Sequence, residues 1–424
     1  MTPIYGRLAR WALWTVNILA ACGTVVAAYG GAVNPEVTAI PAILAMTFPA
    51  WLVLTVILLA ADLFLLRRAA IVAGAALVAC VGPIMNFAPL NFGAGVTDKG
   101  EEGDEAQTFR LVTYNTYEMH DIYEAKTSEG QPDSFYREAM AEGKRNPQLS
   151  YLNRVDAQVL CMQETMMWNM NARNFCTPEQ VDSFRREYPH ATEYNGVSVL
   201  TALPMKPVKL PQFEGSTSVS WAAGEIDIQG HTTLVVSVHL QSIGLDDSDK
   251  ALYYQITEGE GRHRMGAVRH RLLSKLNQAF KLRARQARML REQIDSLGYE
   301  NVIIAGDFND IPDCYAMRVL AGDDFSSAFR RAGRGPTITY HVNRFYFNID
   351  HVLYRGDMKA VGYRRGVCRN SDHYPVEVTF RWEGRQGRRP VLRNRHQGQN
   401  SADFSADLTK KEKYSHINLI INRL

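Results

Sequence analysis

Residues 301–310 read Asn301-Val302-Ile303-Ile304-Ala305-Gly306-Asp307-Phe308-Asn309-Asp310. The run 302–305 is apolar and β-branched, the pattern of a buried strand. It stops at Gly306, and Asp307, Asn309 and Asp310 follow at once. A strand that opens into carboxylates and an amide places them at the rim of a sheet, where α/β enzymes keep their chemistry. Gly306 permits the sharp turn that lets Asp307 and Asn309 project into one cleft. Gly, Asp and Asn are also ordinary turn residues. Alone, the stretch reads equally as a plain strand-to-loop turn, and the rest of the chain must decide.

The pattern recurs. Residues 109–115 (FRLVTYN) end in Asn115, and 157–164 (AQVLCMQE) end in Gln163-Glu164. Residues 233–240 (TLVVSVHL) carry His239 near their end, and 346–354 (YFNIDHVLY) carry Asp350 at their centre. Ser371-Asp372-His373-Tyr374-Pro375 precedes the apolar run 376–380. Each has a bland reading: Asn115 closing a turn, Glu164 paired with an arginine, His239 a satisfied core histidine, Asp350 on a backbone amide, Asp372 and His373 capping a turn. All of them holding together is improbable, because polar residues in strand-like runs are costly unless they satisfy one another.

The residue types converge on one chemistry. Glu164 and Asp372 are hard oxygen donors, suited to Mg²⁺ or Mn²⁺. There is no HExxH and no paired CxxC, so no zinc set forms. No serine sits in a G-x-S-x-G elbow. Two histidines with separate carboxylates suit general acid–base work and stabilisation of a charged transition state.

Six motifs carry a resemblance: YN at Tyr114-Asn115, QE at Gln163-Glu164, HL at His239-Leu240, GDFN at 306–309, IDHVL at 349–353 and SDHYP at 371–375. In this order, residues 109–383 resemble the endonuclease/exonuclease/phosphatase superfamily of deoxyribonucleases, apurinic endonucleases, neutral sphingomyelinases and inositol polyphosphate phosphatases. The resemblance implies a four-layer αββα sandwich and an Mg²⁺- or Mn²⁺-dependent phosphoesterase. It implies that Glu164 binds the metal with Asn115 and Asp372, that Asp307 orients or deprotonates water, and that Asn309 holds a phosphate oxygen. It further implies that His239 contacts the phosphate, and that Asp350 bonds His373, which contacts the phosphate or serves as acid–base partner. Asp310 is expected to support the loop. Asn348 stands where many relatives carry Arg, which implies one phosphate contact fewer.

The first ninety residues differ in kind from the rest. Residues 11–33 and 69–90 carry no charge and 42–66 only Asp62, each near the ~20 apolar residues that cross a bilayer. Residues 1–92 are therefore expected to form three transmembrane helices, the second kinked at Pro49, with Asp62 near the headgroups. A signal peptide followed by core helices is the alternative. Arg7, Arg10, Arg67 and Arg68 lie at sites that are cytoplasmic together, which places the large domain on the exoplasmic side of the cell membrane. Residues 93–108 read as a flexible linker and 384–424 as a basic, disordered tail.

A net charge of +3 names no partner. Locally, residues 262–291 are rich in Lys and Arg without Asp or Glu, on a helical apolar period. They read as a solvated outer face, or as a contact for anionic lipid or nucleic acid. Residues 244–261 read as an insertion over the cleft or a surface loop. Four cysteines outside the apolar segments, Cys161, Cys176, Cys314 and Cys368, allow three full pairings, with Cys161 better suited to the core. The expected function is a membrane-anchored phosphodiesterase or phosphatase acting on phospholipid, nucleic acid or a small phosphorylated molecule. A membrane-tethered nuclease is the rival within the enzymes, and a non-catalytic scaffold with a degenerate site is the reading from another class.

Overall fold

The computed structural model describes residues 3–65, 67–91, 107–120, 146–165, 176–214, 219–244, 265–342 and 345–383. Most of the expected linker, most of the 244–261 insertion and the whole tail lie outside them. Along the strand Asn301–Asp307 successive side chains take opposite faces. Ile303 and Ala305 pack with Phe109, Leu111 and Val159, whereas Val302 and Ile304 pack with Leu290, Ile294 and Leu320. The strand is covered on both faces, which is why it reads as an unbroken apolar run.

Twelve strands are described: β1 (Thr108–Asn115), β2 (Val159–Gln163), β3 (His190–Tyr194), β4 (Val197–Thr201), β5 (Met205–Val208), β6 (Ser220–Ile228), β7 (His231–His239), β8 (Asn301–Asp307), β9 (Ser326–Ser327), β10 (Asp350–Arg355), β11 (Met358–Arg365) and β12 (Val376–Trp382). They form two six-stranded sheets, ordered β11-β12-β1-β2-β4-β3 and β5-β6-β7-β8-β10-β9. Both are mixed, with β1–β2 and β7–β8 parallel and the other pairs antiparallel. Phe109, Leu111 and Val159 of one sheet meet Val235, Ile303 and Val352 of the other in a shared core.

The N-terminal region holds α1 (Pro3–Tyr29), α2 (Ile40–Ala45), α3 (Phe48–Leu65), α4 (Arg67–Ala79) and α5 (Val81–Phe87). The sheet helices follow as α6 (Pro147–Val155), α7 (Pro178–Glu187), α8 (Met265–Leu297), α9 (Tyr315–Ala321) and α10 (Ala328–Ala332). α6 and α7 cover the outer face of the first sheet; α8 and α9 cover that of the second. The layering is the αββα arrangement that the motifs implied.

The N-terminal helices correct the expectation of three spans. Among the described residues one helix, Arg7–Ala32, is long and apolar enough to cross a membrane, and a bent pair is a second only if both parts count as one. The expected second span is broken at Met46 and Thr47, and Pro49 falls in the first turn of α3, where its missing N–H costs nothing. It starts a helix instead of kinking one. The expected third span bends by 64° between α4 and α5. Pro83 cannot donate to the Ala79 carbonyl four residues back, and that carbonyl instead accepts the Tyr29 hydroxyl at 2.5 Å. Asp62 is fully buried among the helices.

These helices and the sandwich form one compact unit, Met1–Glu383. Arg285 and Arg288 of α8 hold Glu36 in an ion pair, and the hydrogen bonds from Arg285 first, then Arg288, keep its carboxyl below the usual range. Asn86 donates to Asp313 at 2.9 Å, and Gly335 N–H donates to Pro89 at 2.8 Å. Gly31 comes so close to Asp313 that a Cβ would collide with its carbonyl oxygen. Much of the basic run on α8 is therefore spent inside the protein: Arg283 faces Asp310, and Arg291 bonds Asp295 and Asp324. All six cysteines are free, and Cys161 lies in the core between the sheets.

Candidate active site

Strand register gathers the polar residues before any side chain is considered. His239 pairs with Asp307 across β7 and β8, and Asp350 pairs with Asp307 across β8 and β10. On the other sheet Asn115 pairs with Gln163, one residue before Glu164. These strand ends open on one cleft of about 280 Å³, lined by Glu164, His239, Asp307, Asn309, Asp372 and His373 among others.

Asn115 joins the two sheets. Its amide donates to Glu164 Oε1 at 3.1 Å and to Asp307 Oδ2 at 3.1 Å. Its carbonyl oxygen accepts the Tyr117 N–H, and Ser371 Oγ donates to its backbone carbonyl at 2.7 Å. His239 Nε2 stands 3.8 Å from Glu164 Oε1 and 3.7 Å from Asp307 Oδ2. Gln163 lies beneath and reaches Ser237 of the second sheet at 3.0 Å. In the QE motif, then, Glu164 faces the cleft and Gln163 ties the sheets together.

Asp350 is fully buried and accepts from His373 Nδ1 at 2.8 Å. That fixes the ring so that Nε2 points at Asp307 Oδ2, 3.6 Å away. Burial opposes a charge on His373, but Asp350, Asp307 and Asp372 outweigh it and hold its pKa well above the ordinary value. Asp350 does not line the cleft and acts through His373. Thr339 Oγ1 accepts the N–H groups of Ile349 and Asp350, which pins the start of β10.

Asp307 Oδ1 accepts the Asn309 N–H at 2.8 Å, and Asn309 Nδ2 donates to the Leu240 carbonyl at 3.0 Å. Asn309 thus lines the cleft with its amide nitrogen already engaged. Asp310 lines the cleft but is engaged, its Oδ2 3.3 Å from Arg283 Nε and its Oδ1 accepting the Ile311 N–H. Burial pushes the Asp310 carboxyl up, and Arg283 pulls it back. His351 Nε2 donates to the Asp310 carbonyl at 2.8 Å. Burial, above all, lowers the pKa of His351 to about 4, so it is neutral.

The described residues with ligand atoms closest together are Asp307, Asp350 and His373, within 4.8 Å. This differs from the expected set of Asn115, Glu164 and Asp372. The difference has a cause: Asp350 already spends an oxygen on His373. The carboxylates that line the cleft are Glu164, Asp307, Asp310 and Asp372, of which Asp310 is committed to Arg283. Burial pushes Asp372 up, with His373 pulling it down. Two carboxylates converging on one amide, with a third lining the same cleft, fit a hard divalent cation such as Mg²⁺ or Mn²⁺.

Sequence reasoning missed several site residues. Arg283 sits in a basic run that reads as a solvated face. Tyr340, whose ring lies 5.1 Å from that of His373, carries no motif. Leu276, Phe280, Phe345 and Phe347 make an apolar wall, and Met46 reaches the cleft from the N-terminal helices. Only the amphipathic period of α8 hinted at any of these.

A family model described as the endonuclease/exonuclease/phosphatase family matches residues 142–373, more than half of the chain. A second, described as a domain of unknown function (DUF8431), matches residues 10–87. No curated protein matches. Among solved structures, the endonuclease/exonuclease/phosphatase from Beutenbergia cavernae is 18% identical, covering 66% of this chain and 72% of its own, with a TM-score of 0.43. Truncated Caenorhabditis elegans TDP2 is 13% identical over 65% of this chain and 98% of its own, TM-score 0.41. The catalytic domain of human Nocturnin is 12% identical over 66% and 96%, TM-score 0.42.

Proposed function

The chain belongs to the endonuclease/exonuclease/phosphatase family, and from that premise we propose that it is a membrane-tethered, divalent-metal-dependent phosphoester hydrolase. The observation that carries the reading is the meeting of Glu164, Asn115, Asp307 and His239 from two sheets beside the Asp350–His373 pair. A scaffold has no use for a buried carboxylate–imidazole pair aimed at a second carboxylate.

In the proposed reaction water attacks phosphorus, the phosphorus–oxygen bond to the leaving group breaks, and the leaving oxygen takes a proton. Asp307, held by the Asn115 amide and the Asn309 N–H, orients the water and accepts its proton. His373, kept protonated by its carboxylate neighbours, hydrogen-bonds the phosphate or gives its proton to the leaving oxygen. Asp350 positions that ring, and His239 contacts the phosphate from the other side. Glu164 and Asp372 would hold Mg²⁺ or Mn²⁺, whose chemistry is to draw charge from the phosphoryl oxygens, while Asn115, its Nδ2 facing Glu164 and Asp307, positions those carboxylates.

The tether is α1. Its apolar stretch of 26 residues spans about 39 Å at ~1.5 Å per residue, enough for the ~30 Å hydrocarbon core. Large apolar side chains point outward along the helical region, among them Trp11, Ile57, Phe64 and Val78, as a bilayer would require. Arg7 and Arg10, in the N-terminal turns of this helix, favour a cytoplasmic N-terminus and an exoplasmic domain.

The test uses full-length protein with Mg²⁺ on bis-p-nitrophenyl phosphate, plasmid DNA and sphingomyelin, beside His373→Ala. Turnover of at least one substrate, lost in the variant, is the expected result. An equal rate in the variant would remove His373 from the chemistry. No turnover together with no metal binding would favour the scaffold.

A further inference from the structure

A second cavity, of about 220 Å³, adjoins the catalytic cleft. One wall comes from the N-terminal helices, through Ala28, Met46 and Phe48; the other comes from the catalytic domain, through Ile311, Phe347 and Asn348. Met46, Ile311 and Phe347 line both cavities, so the two meet along these side chains. The combined space is polar where Glu164, Asp307 and His373 stand and apolar where it reaches α1 and α3.

Asp313 also lines the second cavity but is paired with Arg318 and Asn86, which leaves Asn348 as the polar side chain there without a partner among the described residues. Asn348 is only 7% exposed, and neither Oδ1 nor Nδ2 has a hydrogen-bond partner. A buried amide left unpaired is costly, so its presence among apolar side chains points to a polar, uncharged group arriving with a ligand. The same cavity is lined by Ala27 and Ala28 of α1, part of the one described helix long enough to cross a bilayer. A molecule lying across both cavities has its phosphate at the carboxylates and histidines and its chain against the tether.

We infer that the substrate is a lipid-borne phosphoester. Its alkyl chain enters the cavity between the N-terminal helices and the catalytic domain, and Asn348 hydrogen-bonds the uncharged linkage between chain and phosphate. This rests on the phosphoesterase reading of the cleft. It adds a specificity site built partly from the chain's own N-terminal helices, so those helices select substrate as well as tether the domain.

The test uses full-length protein in phosphatidylcholine nanodiscs and p-nitrophenyl phosphodiesters whose second group is methyl, octyl, or a chain of octyl length interrupted by one carboxylic ester. All are kept below micellar concentrations. The expected kcat/KM for octyl exceeds that for methyl at least tenfold. Thr337→Trp, which fills the cavity from a loop, should bring the octyl-to-methyl ratio below threefold. Asn348→Leu should lower the ester-containing chain at least fivefold relative to octyl. An octyl-to-methyl ratio near one in the unaltered protein overturns the inference while leaving the phosphoesterase reading intact, and so does a high ratio that Thr337→Trp does not change. Absence of turnover on the methyl ester and on both longer esters would count against the phosphoesterase reading itself and take the inference with it.

Discussion

Replacing Asp350 by Asn keeps the shape of the side chain and removes its charge from beneath His373. The two groups lie 2.8 Å apart and are 0% and 3% exposed, so solvent screens little of their attraction. At an effective dielectric of about 20, unit charges at that separation attract by on the order of 6 kcal/mol. General acid–base participation contributes roughly 10²–10⁴ in rate, or about 3–5 kcal/mol of barrier. The attraction is thus large enough that its removal can erase the whole contribution, because burial, no longer opposed at close range by Asp350, then works against a protonated ring. We expect Asp350→Asn to lower kcat by roughly 10²–10⁴. KM should change little, since Asp350 does not line the cleft. The assay is initial-rate hydrolysis of bis-p-nitrophenyl phosphate by the full-length protein, with circular dichroism and thermal melting to establish that the variant is folded. A folded variant with kcat within threefold of the unaltered protein would refute the reasoning, and so would a loss confined to KM.

Other expectations follow from buried groups. Arg283→Met strands Asp310, which is 5% exposed, and should cost about 3–5 kcal/mol; a loss under ~1 kcal/mol in chemical unfolding would mean that the pair is not the loop's support. Gly306 has φ +154°, and an added Cβ would strike the Val238 carbonyl oxygen. Gly306→Ala should therefore lose about 1–3 kcal/mol or more from forced backbone shifts, and an unchanged melting temperature would contradict the close approach of β7 and β8. His351 is held near a pKa of about 4 when folded, against ~6.5 unfolded. Between these values the unfolded chain binds the extra proton, so stability rises with pH across the window and falls by up to about 3 kcal/mol as pH drops through it. His351→Gln should flatten the melting temperature between pH ~6.5 and ~4.5, and a variant as acid-sensitive as the unaltered protein would exclude His351 as the cause.

Most of the sandwich was legible because strand period and burial agree. Alternate residues of 301–307 enter different cores, and a run buried on both faces has no polar interruption until its end. The site residues were legible for the complementary reason: a polar group at the end of such a run needs a partner. What the sequence did not carry is which partners meet. That Asn115 would donate to carboxylates on both sheets, and that Gln163 would turn inward to Ser237, depend on how the sheets face each other. The basic run on α8 reads as solvated because hydropathy counts charge and not pairing, yet Arg283 is 1% exposed. Hydropathy failed again over the N-terminal helices. It saw three apolar stretches, but the second breaks at Met46 and Thr47, ahead of Pro49, and the third bends between α4 and α5, where Pro83 lacks an N–H. Met46 reached the cleft wall unseen because nothing local marks a residue that packs against a domain hundreds of positions away in the chain.

The most direct test of the phosphoesterase account is the rate of bis-p-nitrophenyl phosphate hydrolysis by the full-length protein, measured with Mg²⁺, after EDTA, and in Glu164→Gln. The account predicts turnover that saturates with Mg²⁺, disappears with EDTA, returns on adding the metal back, and is at least a hundredfold lower in Glu164→Gln, in the range that loss of one electrostatic stabiliser costs (~10²–10³). Turnover equally fast after EDTA and in Glu164→Gln would contradict it.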